Sequence, residues 1–163
     1  MFKLGDTILY GPEGVCRISE ITTKTFGGTD IEYYVLTPVF SANSTFFVPT
    51  QNSKLTSRMH PVLSGSEMMS VIETSKELNE WPQDDSERKK VFKDIISAGN
   101  IGEIVSVFKS VLNHKKEVEE AGKKLHKSDE SVLKEAQKII YESIALDMEL
   151  TKEDVADIVL RKK

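Results

Sequence analysis

The chain has 163 residues, 39% of them hydrophobic and 29% charged, with a net charge of −4 and one cysteine. That length buries a core, as one domain or two small ones, and the composition is that of a globular chain in water. A lone Cys16 excludes an internal disulfide, and neither a signal peptide nor a membrane-spanning run is visible, so a reducing cytoplasm is the expected setting.

Residues 1–58 read as all-β. Ile8-Leu9-Tyr10 and Val15-Cys16-Arg17-Ile18-Ser19-Glu20-Ile21 are β-prone runs separated by Gly11-Pro12-Glu13-Gly14, a turn signal. Strand alternation puts Cys16 and Ile18, and by the same period Glu20, on one face, with Val15, Arg17, Ser19 and Ile21 on the other. Gly27-Gly28-Thr29-Asp30 is a hairpin loop leading into Ile31-Glu32-Tyr33-Tyr34-Val35-Leu36. The last run, Thr45-Phe46-Phe47-Val48, stops at Pro49, which cannot donate to a ladder and so suits a strand end or an edge. About five short strands in so few residues predict a small, strongly bent barrel of the SH3-like or Tudor-like kind.

From about Ser64 the apolar period becomes helical. Ser66 can cap a helix carrying Met68, Met69, Val71 and Ile72. A second helix, from about Ser86, carries Val91, Phe92, Ile95 and Ile96 and ends at Gly99, a natural C′ residue. Asn100 can cap the third, with Ile101, Ile104, Val105, Phe108 and Leu112 on one face. Ser128 opens a fourth, and Thr151 with Asp154 a short fifth whose basic tail, Arg161-Lys162-Lys163, suits a helix C-terminus. The expected fold is therefore α+β with the two kinds of structure segregated. A barrel over 1–58 precedes an all-helical domain of about five helices over 59–163, joined through Met59-His60-Pro61.

Charge is unevenly distributed. Residues 1–58 are neutral, 59–86 carry −5, 87–127 carry +4 and 128–163 carry −3. The basic middle, beginning Arg88-Lys89-Lys90 and continuing with Lys93, is a plausible footprint for a phosphate backbone; on charge alone a solvated lysine-rich helix surface is the simpler explanation. Immediately before it stands Trp81, the only tryptophan, followed by Pro82. An aromatic ahead of a helix N-cap is commonly a packing residue.

No reacting group stands out. His60, His114 and His126 lie apart from any paired ligand, no phosphate-binding glycine motif opens a helix, and Cys16 sits within a strand as a buried thiol would. No cofactor or metal is expected, and nothing requires an enzyme. Tyr10, Tyr33, Tyr34 and Phe40 could line an aromatic cage, though barrel core is the simpler role for most of them.

These features together resemble the CarD family of bacterial transcription regulators. The resemblance runs through Phe2-Lys3-Leu4-Gly5-Asp6-Thr7-Ile8-Leu9-Tyr10, Gly14, Tyr33-Tyr34-Val35-Leu36 and Val48-Pro49. It continues through Trp81 ahead of Arg88 and Phe92, then Gly99-Asn100, Leu112, Lys124-Leu125, Glu130, Ala136 and Ile140. The N-terminal part is also similar to the polymerase-interacting module of the transcription-repair coupling factor. Two departures stand out: Phe47 occupies a position that is basic in some relatives, and the Trp81-to-Gly99 spacing is lengthened around Pro82-Gln83-Asp84-Asp85.

The resemblance implies that the barrel binds the β subunit of RNA polymerase, partly by strand addition, and that the helical domain contacts promoter DNA at the upstream edge of the melted bubble. Trp81 is then the candidate minor-groove wedge, with Arg88, Lys89, Lys90 and Lys93 as candidate phosphate contacts. Lys24, Phe46, Phe47 and Pro49 are the candidate polymerase face. Without a base-reading helix, DNA binding should be largely sequence-independent and salt-sensitive, and tethering through the barrel lets a weak contact suffice. The competing expectation is a protein-interaction adaptor whose helices never touch DNA. No membrane partner is expected, and a monomer is the simplest state.

Overall fold

The computed structural model describes residues 2–41 and 44–160. Five strands form one antiparallel sheet: β1 (Thr7–Tyr10), β2 (Val15–Phe26), β3 (Thr29–Pro38), β4 (Phe46–Pro49) and β5 (Met59–Pro61), in the order β4-β3-β2-β1-β5. The long β2–β3 hairpin runs from Cys16 opposite Pro38 to Phe26 opposite Thr29, with a bulge between Ile18 and Glu20 that bends the sheet. Ile8, Cys16, Ile18, Tyr34, Leu36, Val48 and Met59 form its core, drawing on all five strands. Val48 and Met59 come from the two edge strands, so the sheet curls until its edges share one apolar interior. The expected small barrel takes this form.

Met59-His60-Pro61 is a strand rather than a connector. It pairs with β1 in the register Ile8 to Pro61 and Tyr10 to Met59. A boundary at residue 58 would strip the sheet of this strand, so the β half extends at least to Pro61. Its alternation of one buried residue with more exposed neighbours is too short to signal a strand from sequence alone.

A single helical turn, α1 (Ser53–Thr56), links β4 to β5. Then follow α2 (Gly65–Thr74), α3 (Asp85–Ala98), α4 (Ile101–Glu120), α5 (Lys127–Ala145) and α6 (Asp154–Leu160). Capping settles where several of them begin. Ser64, not Ser66, caps α2: its hydroxyl accepts from Glu67 N while Glu67 Oε1 accepts from Ser64 N, satisfying two end donors at once. Asn100 caps α4 as expected, and Gly99 closes α3 at φ +79°. His126, two residues before the expected Ser128, is the N-cap of α5, its Nδ1 accepting from Ser128 N at 3.2 Å. Thr151 N donates to Asp154 Oδ2, and α6 itself starts only at Asp154. The basic tail at 161–163 lies outside the described residues.

The helical core is built on Phe92, Ile96, Ile104, Val105, Phe108, Val111, Ala136, Ile139 and Ile140, and it also takes in Leu9 and Val15 from the sheet. The two halves therefore meet through a packed apolar seam. Glu142 on α5 crosses that seam: its Oε1 accepts from Val15 N at 3.0 Å, and the residue is only 4% exposed. Gly14 makes the approach possible. Its φ is +76°, and a Cβ there would stand 2.3 Å from Glu142 Oε1. His60 Nε2 bonds Ala98 O at 2.8 Å on the same side.

Candidate functional site

Two surfaces carry the residues singled out by the sequence. On the sheet, β4 lies at an edge, paired on one side with β3 from Tyr33–Pro49 to Leu36–Phe46. Phe46 turns inward against the sheet core, while Phe47 is 45% exposed, the split that strand alternation predicts. Lys24 Nζ sits 4.2 Å from the Phe47 ring centroid, and Tyr33 meets the same ring edge-on at 6.0 Å. Lys24, Tyr33 and Phe47 thus form one cationic and aromatic patch across β2, β3 and β4, beside Pro49 at the strand's end. Phe47 offers Lys24 a π-face, which attracts the ammonium without a charged partner. Tyr34 is buried in the sheet core and edge-on to Phe2, whereas Phe40 lies against Tyr141 of α5, so these aromatics do not converge on one cage.

The second surface is the Trp81 loop between α2 and α3. Trp81 is partly buried, stacked on the His114 imidazole at 4.1 Å with an interplanar angle of 22° and edge-on to Phe92 at 5.6 Å. The Arg88 guanidinium carbon lies 4.9 Å from its ring. Backbone ties hold the loop: Leu78 N donates to Ser110 Oγ, and Gln83 Nε2 donates to Trp81 O. Asp84 caps α3 through Glu87 N at 2.9 Å, so its charge faces a helix N-terminus, where the macrodipole favours it.

Arg88 departs most from expectation. It is not a phosphate contact but a buried hub, 3% exposed. Its Nε and Nη2 donate to the two oxygens of Asp129 at 2.8 and 2.7 Å, Nη2 also donates to Asp85 Oδ1 at 2.7 Å, and Nη1 donates to Pro82 O at 3.0 Å. The hydrogen bonds to Asp129, with lesser help from Asp85, hold the guanidinium pKa above its ordinary value against the opposing effect of burial. The bond from Arg88 in turn holds Asp85 below the usual carboxylate range. A charge-run reading misses this because Asp129, 41 residues away, reads only as an acid in the first turn of α5. The pairing is a property of the fold.

The remaining cations divide. Lys89 and Lys93, one turn apart on α3, are exposed and share a groove with His126 and Lys127 at the start of α5. Lys90 is exposed on another face of the same helix. Lys109 is withdrawn from the basic footprint: its Nζ caps the end of α2 through Ile72 O and Ser75 O, and burial lowers its pKa. Cys16 is wholly buried, and burial pushes its thiol up to about 12, which suits packing and not reaction. Among the described residues no group of three or more His, Cys, Asp or Glu side chains could hold a metal ion, and no helix is long and apolar enough to cross a membrane.

Residues 2–63 match the family described as the CarD-like/TRCF RID domain, a segment that takes in all five strands and ends just past β5. Over 157 residues the chain is 31% identical to "Putative transcription factor YdeB" of Bacillus subtilis (strain 168), covering 93% of each chain. That similarity runs through the Trp81 loop and the helices as well as the sheet. The chain belongs to the CarD-like family.

Proposed function

We propose that the protein is a non-enzymatic transcription regulator of the cytoplasm that anchors to the β subunit of RNA polymerase through β4 and contacts promoter DNA through the helical half. A transcription-related, polymerase-interacting role is what its family supports. The observation that carries the anchor is the edge position of β4, which among the described residues pairs only with β3, with Phe47 exposed beside Lys24. Such an edge offers main-chain groups for strand addition, and the aromatic patch supplies a side-chain contact.

The DNA reading rests on Trp81 beside a helix that presents Lys89, Lys90 and Lys93. A wedge at the edge of a melted bubble meets a base step whose stacking is already weakened, so the unstacking cost of a few kcal/mol is reduced. Lysines without base-reading partners hold phosphates of any sequence. The acids at 84 and 85 do not oppose this, since one caps α3 and the other pairs with Arg88. Together these contacts would stabilise the open complex.

Binding of the full-length chain to the polymerase β subunit tests the anchor. Phe47→Ala should weaken it by roughly tenfold or more, the scale of a truncated aromatic hot spot, with the unfolding midpoint unchanged. Unaltered affinity in both Phe47→Ala and Lys24→Glu would remove β4 as the anchor. A protein-binding helical half is the second reading, favoured by exposed Phe40, Leu146 and Met148. Reversing Lys89, Lys90 and Lys93 together separates the two readings: DNA contact predicts lost, salt-dependent activity, whereas an adaptor predicts little change.

A further inference from the structure

We propose that Arg88 and His114 are positioning residues for Trp81, setting the orientation in which the indole meets DNA; this inference rests on the DNA-contacting reading above. Two helices, α3 and α4, meet one partly buried ring, and a third, α5, holds the α3 group in place. The α3 guanidinium reaches Trp81 while its Nη1 holds the carbonyl of Pro82, the next residue in the chain. Asp129 of α5, 1% exposed, fixes that guanidinium through two hydrogen bonds. The α4 imidazole stacks on the indole.

This arrangement gives a surface loop a buried, charge-paired foundation. A planar fork bound on two edges cannot rotate without breaking several hydrogen bonds at once, so Arg88 transmits the rigidity of the α3–α5 packing to the loop. The segment that lengthens the spacing from Trp81 to Gly99 is consumed in this construction. Pro82 supplies the carbonyl, Asp84 the cap of α3 and Asp85 the second carboxylate on Arg88. A loop paid for in this way loses less freedom when it binds, which is the advantage of a preorganised contact. Trp81 also packs against the helical core, edge-on to Phe92 at 5.6 Å, and Arg88 and His114 add polar contacts to the same ring.

The test is a double-mutant cycle in the full-length protein, reading both the lifetime of promoter open complexes and the emission of the lone tryptophan. Arg88→Lys keeps the charge but loses the fork, and His114→Ala removes the stack without touching the ion pair. Each should red-shift Trp81 emission and shorten open-complex lifetime by about fivefold, with polymerase affinity retained. Neither should shorten it further once Trp81→Ala is present. If Arg88→Lys proves unfolded, His114→Ala carries the same test alone. Additive effects in the Trp81→Ala background, or an unchanged lifetime in His114→Ala, would overturn the positioning role while leaving the DNA contact standing. No effect of Trp81→Ala itself would overturn the DNA contact and the positioning role together.

Discussion

Arg88 and Glu142 show how differently two buried charges are treated. Arg88 is matched by Asp129, and breaking a buried pair by removing one partner leaves the other uncompensated. Asp129→Ala should therefore cost about 3–5 kcal/mol, read as a lower urea midpoint at constant slope. Glu142 has a weaker match. Its ion-pair partner, Lys138, is 4.0 Å away, and burial raises the carboxyl pKa against the Val15 N–H bond and the nearby Lys138 and Lys152. A carboxyl with a raised folded pKa stabilises the fold most while protonated, and that contribution is lost as pH rises from the unfolded value of 4.5 through the folded one. Glu142→Gln keeps an acceptor for Val15 N and never ionises. The variant should thus gain melting temperature relative to wild type as pH is raised from ~4 to ~7. A difference that does not change with pH would contradict this account of the seam. Asp85 has the opposite sign: held low by Arg88, its contribution is present at neutral pH and lost as pH falls through its depressed value.

At the scale of elements, the helical half was legible because it is built from long amphipathic segments. Asn100 and Gly99 mark the α3–α4 junction as clearly in sequence as in space. At the starts of α2 and α5, where the caps are Ser64 and His126 and not Ser66 and Ser128, several polar residues crowd the terminus and local hydrogen-bond geometry chooses between them. Short strands are harder. β5 has three residues, and only its pairing with β1 makes it a strand. This yields a direct prediction. A fragment of residues 1–58 lacks Met59, a member of the sheet core, and should be largely unstructured by circular dichroism, whereas 1–63 should retain strand signal. Equal order in both would mean that β5 is dispensable to the sheet. The candidate sites divided along the same line. The alternation of Phe46 and Phe47 is local and could be read, while the Arg88–Asp129 pair and the His114–Trp81 stack join distant segments and could not.

At the scale of the whole molecule, the seam between the halves would join the two proposed contacts on one body. Leu9 and Val15 pack into the helical core, Glu142 bonds across it, and Gly14 admits the close approach. The β4 edge and Trp81 are thereby held on one body and not at the ends of a flexible linker. A second contact made from a tethered, fixed body is effectively intramolecular, so a shallow indole contact can matter once the sheet is bound. Gly14→Ala should loosen the seam, costing more than an ordinary surface change because it meets both a positive φ and a clash, and should lower the melting temperature measurably. On the proposed function, anchoring and DNA contact belong to separate halves of the molecule. The most direct measurement is the dissociation lifetime of promoter open complexes at saturating full-length Trp81→Ala. The expected lifetime is close to that without the protein, with affinity for the polymerase β subunit at the wild-type value. A wild-type lifetime, or a parallel loss of polymerase binding, would contradict it.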